Sequence, residues 1–297
     1  MGKSIQVIVN PAAGQPEAIL AELNQVFGQA GVDWQVAITQ QAGDGTRLAR
    51  EAVDRGVDLV AAYGGDGTVM EVVSGLIDRD VPLAILPGGT GNVLATELQI
   101  PPGLADAARL AAGDETPSRR VDVGRCGDCY FLLRLATGFN ARQIQATTRE
   151  MRDRYGRLAY FIAALQALPD TQPVQFRFTL DGEPVEYEAV TCIVANAGNL
   201  GIPGLSLSPL IRIDDGLLDL VAVHNLDLEA LSSLAASIAD LAPEPENLGH
   251  WQAQQITIEA DPAQPVVADG EDAGQTPITL DVLPEAVRIL VPADPAQ

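Results

Sequence analysis

Four times in its first 99 residues the chain repeats one unit: a short apolar run, a turn of glycines and small polar residues, then a helical apolar pattern. Residues 5–9 lead into Asn10-Pro11-Ala12-Ala13-Gly14 and a periodic stretch to Phe27. Residues 35–39 end at Thr39 and lead into Ala42-Gly43-Asp44-Gly45 and a helix to about Asp54. Residues 57–63 lead into Gly64-Gly65-Asp66-Gly67-Thr68, followed by Val69, Val72, Val73 and Leu76 at helical spacing. Residues 82–86 lead into Pro87-Gly88-Gly89-Thr90-Gly91-Asn92 and a helix to about Leu98. Strand, turn and helix in repetition mean a parallel sheet with helices on its faces. Right-handed crossovers put all four turns at one edge of that sheet, which is where ligands bind in such folds. The glycine clusters at 64–67 and 88–91 are therefore expected to be neighbours.

A helix over 104–112 closes this half, and the pattern changes near Arg119. Strand candidates now alternate and are joined by short turns: 120–126, 130–136, 174–180, 185–195, 217–223, 255–259, 278–282 and 287–291. Gly127-Asp128 and Asp181-Gly182 read as two-residue hairpin turns. Helices are expected at about 141–168 and 227–240, with a loop over 241–248, where Pro243 and Pro245 fall. The expected fold is α/β: a three-layer α/β/α nucleotide-binding domain over 1–119, then an antiparallel β-sandwich domain over 120–297. The cleft between two such domains is the default place to look for an active site.

Charge and composition remove several functions. With 40 acidic against 18 basic residues the net charge is −22, which disfavours nucleic acid as a partner. Lys3 is the only lysine, so there is neither a P-loop lysine nor the strand lysine of a protein kinase. A nucleotide here must be held by backbone amides, Mg²⁺ and arginine. Arginines do cluster, at Arg142, Arg149, Arg152, Arg154 and Arg157, ahead of apolar Leu158, Tyr160, Phe161, Ile162 and Leu165. That segment, 142–168, reads either as the border of a lipid entrance with peripheral membrane contact, or as a structural helix with a solvated basic end. His224 and His250 are the only histidines, so no His-Glu-x-x-His zinc site exists. Cys126-Gly127-Asp128-Cys129 matches C-x-x-C but reads better as a hairpin turn. No signal peptide or membrane-length apolar run is visible, and the expected location is the cytoplasm.

A strand feeding a glycine turn and a helix N-terminus is a recipe for holding phosphate, through convergent N–H groups and the helix dipole. Asp66 puts an acid where an anion should bind, which makes sense with Mg²⁺ between them. The plainer alternative for Asp66 is an N-cap with Glu71 in the following turns. Asn92 can likewise serve a ligand or cap a helix.

The motifs Asn10-Pro-Ala-Ala-Gly14, Gly64-Gly-Asp-Gly-Thr68 with Glu71, and Pro87-Gly-Gly-Thr-Gly-Asn92, in that order, resemble the diacylglycerol kinase catalytic domain. That superfamily includes sphingosine and ceramide kinases. The resemblance continues through Val121-Asp-Val-Gly124, Asn196 with Gly198, the run from Pro209 to Asp219, and Asp269-Gly-Glu271, so it covers about 4–293. It implies that Asn10, Pro11, Ala12, Ala13, Gly14, Thr39, Gly64, Gly65, Asp66, Gly67, Thr68, Glu71, Gly89, Thr90 and Asn92 hold ATP. It also implies that Glu271 is the general base and that a structural Mg²⁺ is held by the Asp215 carboxylate with the carbonyls of Arg212 and Leu217. Two positions depart from common members: Gln15 stands where many carry Lys or Arg, and Val93 follows Asn92 as in the sphingosine and ceramide kinases.

The resulting expectation is a lipid kinase. ATP would be cradled by the two glycine loops, a catalytic Mg²⁺ would lie near Asp66, and Glu271 would deprotonate a lipid alcohol, diacylglycerol-like or sphingoid-like. The alternatives are an NAD or other small-molecule kinase on the same loop, or a non-catalytic nucleotide- or lipid-binding regulator. A homodimer stays open. A dinucleotide oxidoreductase is disfavoured because no G-x-G-x-x-G follows the first strand.

Overall fold

The computed structural model describes residues 2–13, 18–138, 173–202, 205–224 and 248–293. The helices expected at 141–168 and 227–240, most of the 241–248 loop, the 142–168 arginine segment and Gly14 lie outside the described residues. The chain divides into two compact units, Met1–Val121 with Glu285–Gln297, and Asp122–Pro284. The last strand runs without a break through Pro284 and Glu285, so the two units divide within it.

The first unit is an α/β domain. In chain order it holds β1 (Ser4–Val9), α1 (Ile19–Ala30), β2 (Asp33–Ile38), α2 (Asp44–Asp54), β3 (Leu59–Gly64), α3 (Asp66–Leu76), β4 (Leu83–Pro87), α4 (Val93–Glu97) and α5 (Leu104–Ala112). The strands lie in the order β2-β1-β3-β4, all parallel. The step from β1 to β2 runs one way along the sheet, and the steps to β3 and β4 run the other. Right-handed crossovers then place α1 on one face and α2 and α3 on the opposite face; α1 packs with α5, and α2 with α3. With both faces covered, central strands carry unbroken apolar runs, and all six residues of β3 are buried. The helices answer with periodic apolar stripes: Leu23, Val26 and Phe27 on α1, and Val69, Val72, Val73 and Leu76 on α3.

The second unit is an antiparallel sandwich. Its strands are β5 (Ser118–Cys126), β6 (Cys129–Phe131), β7 (Arg134–Gly138), β8 (Val174–Leu180), β9 (Glu183–Ala189), β10 (Thr191–Ala195), β11 (Asn199–Ile202), β12 (Leu205–Ser206), β13 (Leu218–Val223), β14 (Leu248–Ala253), β15 (Gln255–Asp261), β16 (Pro265–Ala268), β17 (Glu271–Gln275) and β18 (Ile278–Leu290). One sheet has the order β14-β13-β10-β7-β16-β17; the other contains β18-β15-β8-β9, with β5 beside β18 and β6 beside β5. Inward side chains of both sheets form one core, including Phe131, Phe176, Phe178, Val194, Leu220, Ile256 and Leu280. β18 serves both units in turn: Ile278 to Asp281 pair with β15, and Ile289 pairs in parallel with Leu83 of β4.

Several strand boundaries differ from the sequence expectation, each for a local reason. The 130–136 run breaks into β6 and β7 because the amides of Leu132 and Leu133 turn to the Asp269 carboxylate. The 185–195 run breaks at Val190, whose amide donates to Val223. The segments 278–282 and 287–291 are a single strand. β14 begins at Leu248, inside the expected loop. β17 escaped notice because it is polar and largely exposed.

Gly124 of β5 lies directly across from Phe131 of β6. A Cβ there would stand 2.1 Å from the ring. Gly124→Ala should therefore cost about 1–3 kcal/mol through overpacking, read as a shift of the urea midpoint; an unchanged midpoint would show that the ring does not rest on Gly124.

Candidate functional site

The turns after β1, β2, β3 and β4 all leave from the same edge of the parallel sheet, and backbone bonds fix them there. The Asn10 amide donates to Tyr63 O (3.0 Å), the Thr39 amide to Val9 O (2.9 Å) and the Gly88 amide to Gly64 O (2.9 Å). The two glycine turns are in contact: a Cβ on Gly89 would lie 2.5 Å from Gly65 Cα. A Cβ on Gly91 would lie 2.6 Å from Asp66 Oδ2. Only glycine at 89 and 91 permits this approach.

Gly65 is the N-cap of α3 and brings no side chain to the helix N-terminus. The first-turn N–H groups of a helix have no intrahelical acceptor, so this end offers Asp66, Gly67 and Thr68 amides together with the positive end of the dipole. Polar side chains around it hold the turns in register. Asn10 Nδ2 donates to Thr68 Oγ1 (3.0 Å), while Asn10 Oδ1 accepts from the Ala12 amide (3.0 Å). Asn92, in the left-handed region, closes its own loop by exchanging bonds with Gly89 N and O (3.0 and 2.7 Å). Thr90 is exposed at the tip.

Asp66 and Glu71 have defined partners. Asp66 does not cap its own helix; its Oδ1 accepts from the Leu94 amide of α4 (3.1 Å). Glu71 accepts from the amides of Gly43 (3.0 Å) and Gly45 (2.8 Å), anchoring the start of α2 to α3. Lys3 is far from this chemistry: its Nζ donates to the carbonyls of Ala111 and Gly113 (2.8 and 2.7 Å). Anionic charge at this edge must therefore be met by amides, a cation or arginine.

The second unit carries two further candidate clusters. In the first, the Asp122 carboxylate is buried in β5 and accepts from the Gly216 amide (2.7 Å), and the Asp122 amide donates to Ile213 O (2.8 Å). Asp215 Oδ1 accepts from the Leu217 amide (3.1 Å). Asp219 is fully buried; its Oδ1 meets His250 Nε2 at 2.7 Å, and its Oδ2 has no hydrogen-bond partner among the described residues. Asp215 is raised above the usual carboxylate range, first by partial desolvation, then by the charges of Asp219 and Asp122, against the opposing Leu217 amide. Acids that repel one another beside an orphaned buried oxygen suit a hard cation. Among the described residues no three His, Cys, Asp or Glu side chains are grouped to hold a metal. A cation here would draw on backbone carbonyls as well as carboxylates, which is compatible with the set that the resemblance implies, Asp215 with the Arg212 and Leu217 carbonyls.

In the second cluster, Asp269-Gly270 forms the two-residue turn between β16 and β17, both at positive φ (45° and 94°). Glu271 follows as the first residue of β17 and is exposed. The Asp269 carboxylate accepts from the amides of Leu132 (2.7 Å), Leu133 (3.1 Å) and Arg134 (2.8 Å). The Asp269 amide donates to Arg134 O (2.9 Å). The turn that carries Glu271 is thus fastened to the β6–β7 connection. Asn196 joins the two clusters, its buried Nδ2 donating to the carbonyls of Asp122 and Leu132 (both 2.9 Å).

Sequence reasoning quoted Asp122, Asn196, Asp219 and Asp269 within motifs but gave them no role. The available signal was a polar residue inside an apolar strand, as in Val121-Asp122-Val123 and Leu218-Asp219-Leu220.

Comparison with known proteins agrees with both units. The model of the diacylglycerol kinase catalytic domain matches residues 4–126, and that of the YegS C-terminal NAD kinase beta sandwich-like domain matches residues 134–291. A Chromohalobacter salexigens protein named "Probable lipid kinase YegS-like" is 33% identical over 93% of this chain and 90% of its own length. The diacylglycerol kinase of Bacillus subtilis is 27% identical over 99% of this chain and 98% of its own. The crystal structure of a diacylglycerol kinase from Bacillus anthracis strain Sterne superposes with a TM-score of 0.79 at 29% identity, covering 99% of this chain and 98% of that one. The chain belongs to the lipid kinase family defined by the diacylglycerol kinase catalytic domain followed by the YegS-type C-terminal domain. Among the described residues no helix is long and apolar enough to cross a membrane.

Burial raises the Asp269 carboxyl to about 6, against the opposing Arg134, Leu132 and Leu133 amides and the Arg134 charge. With the folded value above the unfolded one, the folded state holds the extra proton. This contribution to stability is complete below about pH 4 and is lost as pH rises through about 6, with a slope of at most about 1.4 kcal/mol per pH unit. Urea unfolding of wild type and Asp269→Asn at about pH 5 and about pH 7.5 should show the variant losing less stability between the two. Equal losses would remove Asp269 as the titrating group.

Proposed function

We propose that the protein is an ATP-dependent lipid kinase that transfers the γ-phosphate of ATP to a hydroxyl of a diacylglycerol-like or sphingoid-like lipid. The observation that supports this most is the contact of the two glycine turns at the N-terminus of α3, at the sheet edge where Asn10 and Thr39 also lie. Phosphoryl transfer asks a protein mainly for positioning and charge neutralisation, and this edge provides both without a lysine.

In this reading ATP lies against Asn10 to Gly14, Thr39, Gly64 to Thr68, Gly89 and Thr90, with the α3 amides on its phosphates. Asn10, Asn92 and Glu71 act chiefly by keeping the turns in place, since their polar atoms bond to Thr68, Gly89, Gly43 and Gly45. Asp66, whose Oδ1 is taken by the Leu94 amide, would offer its second oxygen to a catalytic Mg²⁺. Asp215 with the Arg212 and Leu217 carbonyls would hold a structural Mg²⁺. Bound Mg²⁺ supplies charge neutralisation on transferring phosphates in one place and a tie across a turn in the other. Glu271 takes the proton from the lipid hydroxyl, and Asp269 positions it by fastening its hairpin. The protein works in the cytoplasm with transient membrane contact.

The reading is tested by incubating the protein with γ-labelled ATP, Mg²⁺ and, separately, diacylglycerol, phosphatidylglycerol, sphingosine, ceramide and NAD. Label is expected in one of the lipids. Label in NAD alone would make the protein a small-molecule kinase, and label in none would leave a nucleotide-binding regulator.

General-base help is worth ~10²–10⁴-fold in rate. Glu271→Gln should lose turnover by about that factor while binding ATP as wild type does, measured by single-turnover kinetics beside ATP titration. Turnover at the wild-type level would take Glu271 out of the mechanism.

A further inference from the structure

Cys126-Gly127-Asp128-Cys129 takes no part in the site described above, and its geometry is specific. Cys126 ends β5, Cys129 opens β6, and the two are direct cross-strand partners around a turn in which Gly127 has φ +57°. Cross-strand partners hold their Cα atoms about 4.5–5.5 Å apart, inside the span of about 4.4–6.8 Å over which disulfides form. Both thiols are free, and they share a hydrogen bond with one another.

The pair is asymmetric. Cys126 is buried, whereas Cys129 is partly open to solvent. The hydrogen bond from Cys126 lowers Cys129 to about 7, against its own burial and the nearby charges of Asp128 and Asp269. The same bond, and then burial, raises Cys126. A large share of Cys129 is therefore thiolate at neutral pH, and the thiolate is the nucleophile. Cys192 is fully buried in the sandwich core, and burial pushes its thiol well up, so it stays inert. Zinc is a poorer occupant, since among the described residues no further ligating side chains are grouped with the pair.

We propose that Cys126 and Cys129 form a reversible thiol–disulfide site that responds to hydrogen peroxide. The Cys129 thiolate attacks the peroxide oxygen, the O–O bond breaks, and the departing hydroxide takes up a proton to leave as water. Cys129 is then a sulfenic acid. With Cys129 no longer a thiolate, both the hydrogen bond and the charge that help hold the Cys126 proton are weakened. Cys126 Sγ loses that proton and attacks Cys129 Sγ; the S–S bond forms and the sulfenic hydroxyl leaves as a second water. Two thiols are oxidised by two electrons, and one peroxide is reduced to two waters. A dithiol reductant reverses the change by thiol–disulfide exchange. The bond would close immediately ahead of Leu132, Leu133 and Arg134, the amides that Asp269 holds.

The test is a peptide map of the whole protein. Reduced protein is treated with hydrogen peroxide at neutral pH, alkylated after denaturation and cut with trypsin. Cleavage after Arg125 and Arg134 leaves both cysteines in the peptide 126–134. That peptide should be lighter by two hydrogens and closed to alkylation, and dithiothreitol should restore both thiols, with Cys192 alkylated throughout. In Cys126→Ser, Cys129 should instead gain oxygen without losing hydrogens, because no resolving thiol remains. Wild-type protein with Cys129 as a sulfinic acid, with a disulfide between chains, or with all three thiols still alkylated would overturn the proposal. The wild-type map decides the matter even where the variant fails to fold.

Discussion

The approach of Gly89 to Gly65 is the constraint on which the turn-bearing edge of the parallel sheet rests. It follows from the parallel register of β3 and β4, in which Tyr63 stands beside Leu86 and Gly64 beside Pro87. Strands in that register end together, so the two turns that leave them must share one space. The second turn cannot carry a side chain at Gly89, where a Cβ would lie 2.5 Å from Gly65 Cα. The same proximity lets Asp66 reach across to the Leu94 amide, so the acid of one loop organises the helix that follows the other. Binding surface and fold are here a single arrangement. A side chain that disturbed the contact would separate the loops and misplace the amides of α3 together.

The second unit solves a different problem, which is to hold polar groups rigidly inside a β-sandwich. Buried polar atoms are tolerated when paired. Asp122, Asn196 and Asp269 each bond to backbone groups of other segments. Each therefore fixes a loop: Asp122 the turn at 216, Asn196 the crossing of β5 with the β6–β7 connection, and Asp269 the hairpin that presents Glu271. A hairpin tip in isolation is mobile. Four backbone bonds from one residue make this one a platform.

Kinase families commonly meet phosphate charge with lysine, and this chain does not. Its only lysine is bonded to two carbonyls at the end of α5. With a net charge of −22, general attraction to nucleotides is also unavailable. Local devices must suffice: a helix N-terminus, glycine turns and oxygen-rich cation sites. This explains why so many of the named positions are glycines and acids.

The strand–turn–helix repetition by itself determined the parallel sheet, the common edge and the adjacency of the glycine clusters, because helical periodicity and crossover handedness leave few arrangements. It also determined that the second half is antiparallel, through short alternating runs and hairpin turns. Only the tertiary structure decided what the polar residues do. Glu71 stands among the positions expected to hold ATP, and both its oxygens accept from the start of α2; Asp66 reads as an acid on the Mg²⁺ side or, more plainly, as a cap of its own helix, and one of its oxygens accepts from α4. Asp269 reads as an ordinary turn residue and proves to be the fastening of Glu271. The physical reason is the same in each case. Periodicity reports which face of an element is buried, whereas a side-chain hydrogen bond depends on a partner from a distant part of the chain, placed by packing that no local pattern encodes.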